Sequence, residues 1–369
     1  MRKILLAVAL SGGFTGAACA EASLTLYGSV DAGLGYNQVK GRDGFKESRV
    51  GAVDGVSGAS RFGLLGSEDL GDGLRATFNL EGGFSSSNGK PSHHSRLFGR
   101  QATVGLQSGD WGRLEFGRQT NLASKHFLSI DPFGESYKTA SMGTAFGSAK
   151  AMRLDNLVLY QTPSFGGLRS GIGYSFNADD NRGGGFRTSD NNRVITAGAQ
   201  YLDGPLTLAA SYDRMNPSRG NPFDGGSPVP IQQYIVGGAY DLEVLKLSAV
   251  FGQTRNGWFS GADLDSLPPG QGEPLGSFKQ ADGFRANSYL LGLTLPLGAN
   301  TIMASWQHVD PGNSRLTGDD RTFSVYSLGY TYDLSKRTNL YAYASYADNF
   351  AFQDDLRSTA AAVGLRHRF

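Results

Sequence analysis

The chain has 369 residues, with 34 Lys+Arg against 33 Asp+Glu, 53 Gly, 22 Phe, 16 Tyr and a single Cys. A charge balance this close to zero excludes a nucleic-acid binder, which would show a basic excess, and one cysteine excludes a disulfide framework or a thiolate metal site. Beyond the first twenty residues no apolar run approaches the ~18 residues of a membrane-crossing helix, so the abundant glycine and aromatics favour an all-β chain.

Met1-Arg2-Lys3, the apolar run 4–10 and the small residues ending Ala18-Cys19-Ala20 have the order of a cleaved secretory signal peptide. Residues 1–20 are therefore expected to leave, and residues 21–369 to form one barrel domain. Losing Arg2 and Lys3 leaves 32 basic against 33 acidic side chains, and the cysteine goes with them. A lipid-modified Cys19 is the alternative, but Gly16 stands where a bulky aliphatic would be needed.

Residues 23–38 set a pattern that later segments repeat. Leu24, Leu26, Val30, Ala32, Leu34 and Tyr36 share one face, and Thr25, Tyr27, Ser29 and Asp31 the other, which is the period of two of a strand. The pattern returns at Leu206/Leu208/Ala210/Tyr212, Leu245/Leu247/Ala249/Phe251, Tyr289/Leu291/Leu293/Leu295 and Tyr326/Leu328/Tyr330/Tyr332. Each segment can cross a bilayer as a tilted strand of ~9 to 11 residues. Tight turns at 68–73, 108–112, 163–167, 202–204, 241–243, 296–299 and 333–336 carry the Gly, Asp and Pro that reversals require. Longer polar loops lie at 39–59, 85–94, 119–152, 177–191, 215–230, 255–284, 310–320 and 349–356. Seven short and eight long connections imply sixteen strands. An even number places both termini on one side, where Leu24 and Phe369 can pair and close the sheet. Closure is required because hydrocarbon tolerates no open edge.

Aromatics gather at the strand ends: Tyr201, Tyr240, Tyr332 and Phe369 towards the short turns, and Tyr36, Tyr174, Phe176, Tyr212 and Tyr346 towards the long loops. Such girdles fit two membrane interfaces. The last nine residues repeat the two-faced pattern, with Ala361, Val363, Leu365 and His367 on one side and Ala362, Gly364, Arg366 and Arg368 on the other. The two arginines are expected at the periplasmic mouth, below any constriction. A secreted β-sandwich array is the alternative to a membrane barrel.

Specific stretches then sharpen the class. LTLYG at 24–28, SRFGL at 60–64, GSEDLG at 66–71, GLRA at 73–76, LFGRQATVG at 97–105, LEFGRQ at 114–119, DNLVLY at 155–160, LSKRTNLY at 334–341 and the closing RHRF make the chain resemble the general porins of Gram-negative outer membranes, in the branch typical of β-proteobacteria. The resemblance spans nearly the whole chain after the leader. It implies a sixteen-stranded antiparallel transmembrane barrel with short periplasmic turns, long extracellular loops and a third loop folded into the lumen. It also implies a homotrimer that passes small hydrophilic solutes by passive diffusion, with a C-terminal aromatic read by the barrel-insertion machinery.

A diffusion pore works through charges facing one another across a narrow neck. Strand parity sets Arg61 opposite Phe62 and Leu64, and sets Arg75 and Glu81 opposite Leu74 and Leu80, so all three charged residues are expected to face the lumen. The resemblance makes Arg61 part of a basic wall braced by Glu81, and matches Arg100 to an arginine before Gln-Ala. Arg96, Arg118 and Arg153 are further members, the last two near the hinges of the third loop. Within that loop, residues 119–152, Asp131 and Glu135 flank a Pro-Phe-Gly turn and are expected to supply the acidic side, weakened by Lys125, His126 and Lys138. Opposed rows of this kind create a transverse field, and the arginine excess points to a modest anion preference.

The five histidines show no metal-ligand spacing, and no G-x-S-x-G or H-E-x-x-H stretch occurs, so neither catalysis nor a cofactor is expected. Asp263 and Asp265 are weak Ca²⁺ candidates. Outer-membrane lipid and lipopolysaccharide are expected partners. A substrate-preferring channel with a site at Tyr137 and Phe133 is one alternative, and an adhesin or surface antigen acting through the long loops is another.

Overall fold

The computed structural model describes residues 22–179, 187–218, 228–260 and 275–369. The expected signal peptide, Cys19, Asp263 and Asp265 lie outside the described residues. The strands in chain order are β1 (Ala22–Lys40), β2 (Lys46–Asp54), β3 (Arg61–Gly71), β4 (Leu74–Gly83), β5 (Gln101–Ser108), β6 (Gly112–Thr120), β7 (Arg153–Gln161), β8 (Leu168–Ser175) and β9 (Arg193–Asp203). They continue as β10 (Leu206–Asn216), β11 (Ile231–Asp241), β12 (Lys246–Trp258), β13 (Lys279–Leu297), β14 (Asn300–Pro311), β15 (Phe323–Asp333), β16 (Thr338–Asp348) and β17 (Arg357–Arg368). Apart from β2 and β3, neighbours in sequence pair antiparallel, and β17 pairs back onto β1, so the sheet is a closed barrel.

Seventeen segments make sixteen staves, because β2 and β3 share one position. The long β1 pairs through Ala32 to Lys40 with β2 and through Ala22 to Ser29 with β3. The chain between them, residues 55–60, leaves the sheet and turns inward. The expected long loop at 39–59 is thus mostly strand: only residues 41–45 form the hairpin tip, and Lys46–Asp54 is paired. The loop expected at 255–284 is shortened in the same way, with β12 reaching Trp258 and β13 starting at Lys279. All seven tight turns fall between paired strands. At the first of them Asp72 and Gly73 both take positive φ, which a two-residue reversal on a twisted sheet requires.

The alternation is realised as lipid face and lumen face. Leu24 at 69 %, Leu34 at 63 % and Leu328 at 58 % exposure point out, whereas Ser29, Asp31, Thr196, Gln233, Ser288 and Gln307 point in and are buried. The apolar core therefore sits inside the barrel, under the third loop. Its Phe127, Ile130, Met142 and Phe146 pack on Ile235, Val250, Phe284 and Leu290 of the wall, each side chain contributing about 2 kcal/mol of burial.

The seam closes four residues along β1 from the expected pairing of Leu24 with Phe369. Phe369 bonds Gly28 in both directions at 3.1 Å, and Leu24 pairs with Gly66 of β3. A Cβ on residue 28 would lie 2.3 Å from Phe369 Cζ and 2.7 Å from the Arg61 carbonyl oxygen. Gly28→Val is therefore expected to lower the yield of folded, heat-modifiable barrel several-fold, with normal conductance in the channels that do form. A wild-type yield would show that the seam tolerates displacement of the last residue.

Candidate functional site

The third loop, residues 121–152, begins with a short helix α1 (Leu122–Phe127) whose N-cap Asn121 accepts the Ser124 N–H at 3.3 Å. From there the loop runs across the lumen along the far wall, and successive staves hold it. Asn121 donates to Asp213 of β10 at 2.9 Å, and the Leu122 N–H donates to Thr196 of β9 at 3.0 Å. Gln200 of β9 donates to the His126 carbonyl at 2.8 Å, and Lys246 of β12 to that of Ser129. Gln233 of β11 accepts from the Ser148 N–H at 2.7 Å. Gln307 of β14 accepts from the Ala145 N–H and donates to Ala140 and Ser141, and Thr139 meets Ser345 of β16 at 2.6 Å. A loop with so many buried backbone groups satisfied by the wall is fixed in place, so the open lumen is the space on its other side.

The inward segment 55–60 narrows that space from the near wall. Asp31, fully buried on β1, accepts from the N–H groups of Val56 at 3.2 Å and Gly58 at 2.9 Å, and from the Tyr341 hydroxyl at 2.8 Å. Ser60 Oγ accepts the Asp31 N–H at 3.0 Å. The third loop then docks on this insert: the Tyr137 N–H donates to the Val56 carbonyl at 2.7 Å and its hydroxyl to Ser57 at 2.9 Å. The Tyr137 ring meets Phe133, Tyr341 and Tyr343 edge-on at 5.5 to 5.9 Å. Phe133 is 2 % and Tyr137 4 % exposed, which leaves little surface for the solute site imagined on them.

Between loop and wall lies a cavity of about 1050 Å³. Arg61, Arg100, Arg153, Arg366, Arg368, Lys125, Lys138 and Lys150 line it, and among the described residues the acidic side chains on its lining are Glu81 and Glu135. Glu81 bridges Arg61 at 3.5 Å and Arg100, and receives the Tyr27 hydroxyl at 3.0 Å. Arg153 donates to the carbonyls of Arg100 at 3.1 Å and Ala151 at 3.0 Å, which fixes the root of the loop. His93 also faces the cavity. Burial, followed by Arg153 and Arg100, pushes its pKa down to about 3, so it adds no charge. Opposite the arginines, burial first and the Asp131 charge second push the Glu135 carboxyl well above the ordinary carboxylate range.

Of the residues read from the sequence, Arg61, Glu81, Arg100, Arg153 and Glu135 come together here. Lys125 and Lys138 join them, while His126 is buried against β9. Four sequence-derived placements are corrected. Arg75 has the lumen parity of Glu81 but starts β4 six residues earlier, ~20 Å away along the strand, beside the short turn. Arg118 pairs in register with Ala102, on the face that carries the exposed Val104 and Phe116, and so turns away from the lumen. Arg96 is engaged with it, both guanidinium groups reaching Asp155 at 2.6 to 2.7 Å. Asp131 does not face the arginines. It is 5 % exposed, and its carboxylate accepts the N–H groups of Phe133, Glu135 and Met142 at 2.9 to 3.1 Å. Burial pushes its pKa up to about 6.

Arg366 and Arg368 were expected below the neck, yet they line the same cavity, Arg366 donating to the Ser57 carbonyl at 2.8 Å. Reading the sequence also missed Asp31, Asp155 and Lys150. Asp155 stands in the DNLVLY stretch, where an acid among apolar residues was a usable signal. Asp31 carried no such mark, because its partners lie 25 to 310 residues away.

Known proteins agree with this architecture. A family model described as Gram-negative porin matches residues 6–351. An outer membrane porin protein of Bordetella pertussis is 52 % identical over 100 % of both chains, and outer membrane porin protein 32 of Delftia acidovorans is 30 % identical over 100 % of both. The solved structure of an anion-selective porin from Comamonas acidovorans superposes with a TM-score of 0.74 at 28 % identity, covering 95 % of this chain and 100 % of that one. With the closed barrel and its infolded third loop, these matches establish that the chain belongs to the Gram-negative porins, outer-membrane channels for passive diffusion of solutes.

Proposed function

We propose that the neck formed by Arg61, Arg100, Arg153, Arg366 and Arg368 with Lys125, Lys138 and Lys150 makes this channel anion-preferring. The observation that carries the reading is the imbalance of the lining, eight basic side chains against Glu81 and Glu135, with Glu81 already engaged by Arg61 and Arg100. Fixed positive charge in a narrow low-dielectric neck raises the local concentration of anions and repels cations. The anion-selective porin from Comamonas acidovorans, which shares the fold at 28 % identity, supports the same direction. Zero-current potentials across planar bilayers in a KCl gradient test it: the sign should report chloride as the more permeant ion, and a potassium-selective sign overturns the reading. The homotrimer implied by the family resemblance belongs to this reading, and the mass of the detergent-solubilised assembly tests it.

A pH dependence arises from Glu135. Its raised carboxyl is neutral at low pH and ionises as pH rises, adding negative charge opposite Arg153 and beside Asp131. The chloride preference should therefore fall as pH rises above the ordinary carboxylate range, and Glu135→Gln should flatten that step while keeping the low-pH selectivity. A Glu135→Gln channel with the wild-type profile would assign the titration to another group.

A further inference from the structure

The outer face of the barrel also carries charge at a place where hydrocarbon contact would exclude it. β12 and β13 turn their odd-numbered residues outward, as the exposed Leu247, Leu291 and Leu297 show. On that face Arg255 stands directly opposite Arg285, both exposed, and Arg214 lies two strands away across Gln232. Like charges directly opposite on a sheet destabilise it. The only side-chain oxygen among the described residues that receives either guanidinium is Gln253 Oε1, from Arg255 Nε at 2.8 Å, and Gln253 in turn donates to Asn287 at 2.8 Å. Asp310 of β14 is in register with Asn287 and makes no ion pair with either arginine.

The height of this cluster is set by what lies next to it. Tyr234, Phe251 and Tyr289 form a continuous aromatic row nearer the middle of the barrel, Phe251 and Tyr289 lying four residues from Arg255 and Arg285 along their strands, with ring centroids 6.4 and 5.4 Å apart, and Val236 and Leu291 continue below as exposed apolar surface. Such a girdle marks the edge of the hydrocarbon, so the arginines stand at headgroup level on the long-loop side. Three strand spacings of ~4.8 Å bring all three guanidinium groups within ~15 Å. The cluster opens sideways, away from the lumen, so a solute in transit does not meet it.

We propose that Arg255 and Arg285, with Arg214, bind the phosphate of an outer-leaflet lipid headgroup, whose acyl chains lie along the apolar strand face below. A phosphate placed between the opposed arginines accepts several charge-assisted N–H bonds at once and removes their repulsion. The test titrates the purified full-length assembly in detergent with diphosphorylated lipid A and counts bound lipid by native mass spectrometry. Wild type and K336Q/R337Q, which loses the same charge at the opposite end, should retain lipid A equally, while R255Q/R285Q should retain about tenfold less. Fully dephosphorylated lipid A should not be retained by any of the three, and millimolar inorganic phosphate should not displace bound lipid A.

Equal retention by R255Q/R285Q overturns the proposal. Complete displacement by inorganic phosphate also overturns it, because the site would then be one for a free anion. The zero-current potential of R255Q/R285Q should stay at the wild-type value. A shifted potential would place these arginines on the ion path and contradict a lipid site. Failure of the lumen reading would instead appear as the wrong sign in the wild-type channel.

Discussion

In a KCl gradient the R61Q/R100Q channel is expected to lose about a factor of ten in its chloride-to-potassium permeability ratio. The size comes from elementary electrostatics: a unit charge ~6 Å from a permeating ion in water-like dielectric is worth ~0.7 kcal/mol, which screening at 0.1 M reduces to ~0.4. That energy favours the anion and disfavours the cation, so each lost arginine acts twice on the ratio. The substitution also unmasks Glu81, which is bridged to both Arg61 and Arg100 and would then present its full charge to the neck. Arg153 is left in place because its guanidinium holds the carbonyls of Arg100 and Ala151 at the loop root. The control is Arg75→Gln, which removes the same charge on the same face beside the short turn and is expected to leave the ratio nearly unchanged. If Arg75→Gln shifts selectivity as far as R61Q/R100Q, the field is set by the whole wall and not by the neck.

The contrast between Arg61 and Arg75 shows what a sequence of alternating residues encodes. Parity is local, fixed by the period of the strand, so the lumen face of Arg61, Arg75 and Glu81 could be read directly. Height along the barrel is not local. It depends on register with the neighbouring strands, and only the pairing of Arg61 with Gly83, and of Gly63 with Glu81, brings that acid to the level of Arg61. Arg118 shares the alternation of Leu114 and Phe116, which puts it on the outer face; it was read as a neck residue from its place beside the third loop, and nearness to a hinge does not fix a side chain's direction. Arg100 escapes the parity count: it stands before β5 begins, so its side chain is free to turn to Glu81 although Ala102 and Val104 point out.

Loop acids were the least legible. An aspartate before Pro-Phe-Gly reads equally well as a lumen charge or as a residue that caps its own turn, and in Asp131 the three nearby N–H groups won. Glu135, four residues on, has no such use for its carboxyl and reaches the cavity. The seven tight turns, the even strand number and the closing C-terminal strand were legible throughout, because each rests on short-range chemistry that a membrane barrel must repeat in every hairpin.

Asp31 is where the narrowing of the lumen depends most on one side chain, and Asp31→Ala is expected to widen the channel while leaving the barrel standing. Its carboxylate is the acceptor for Val56 N–H, Gly58 N–H and the Tyr341 hydroxyl, and these are the bonds that draw segment 55–60 out of the sheet line and into the lumen. Removing it strands buried donors, and hydrogen bonds to a charged acceptor are worth ~1.5–3 kcal/mol each, so a local loss of ~3–5 kcal/mol is expected where no strand pairing is touched. The consequences run further than the insert. Tyr137 of the third loop is anchored on Val56 and Ser57, and Arg366 on the Ser57 carbonyl, so both would lose their seats together. Single-channel recording of Asp31→Ala should therefore show higher conductance with excess open-channel noise, and a weaker chloride preference as Arg366 is released. Asp31→Asn, which keeps the shape and one carbonyl acceptor, should show a smaller change in the same direction. Heat-modifiable migration should persist in both variants, since β1 keeps its pairing with β17 and β3. Wild-type conductance and quiet openings in Asp31→Ala would mean that the third loop is held by its contacts with β9 to β16 alone, and that the insert follows the loop and does not position it.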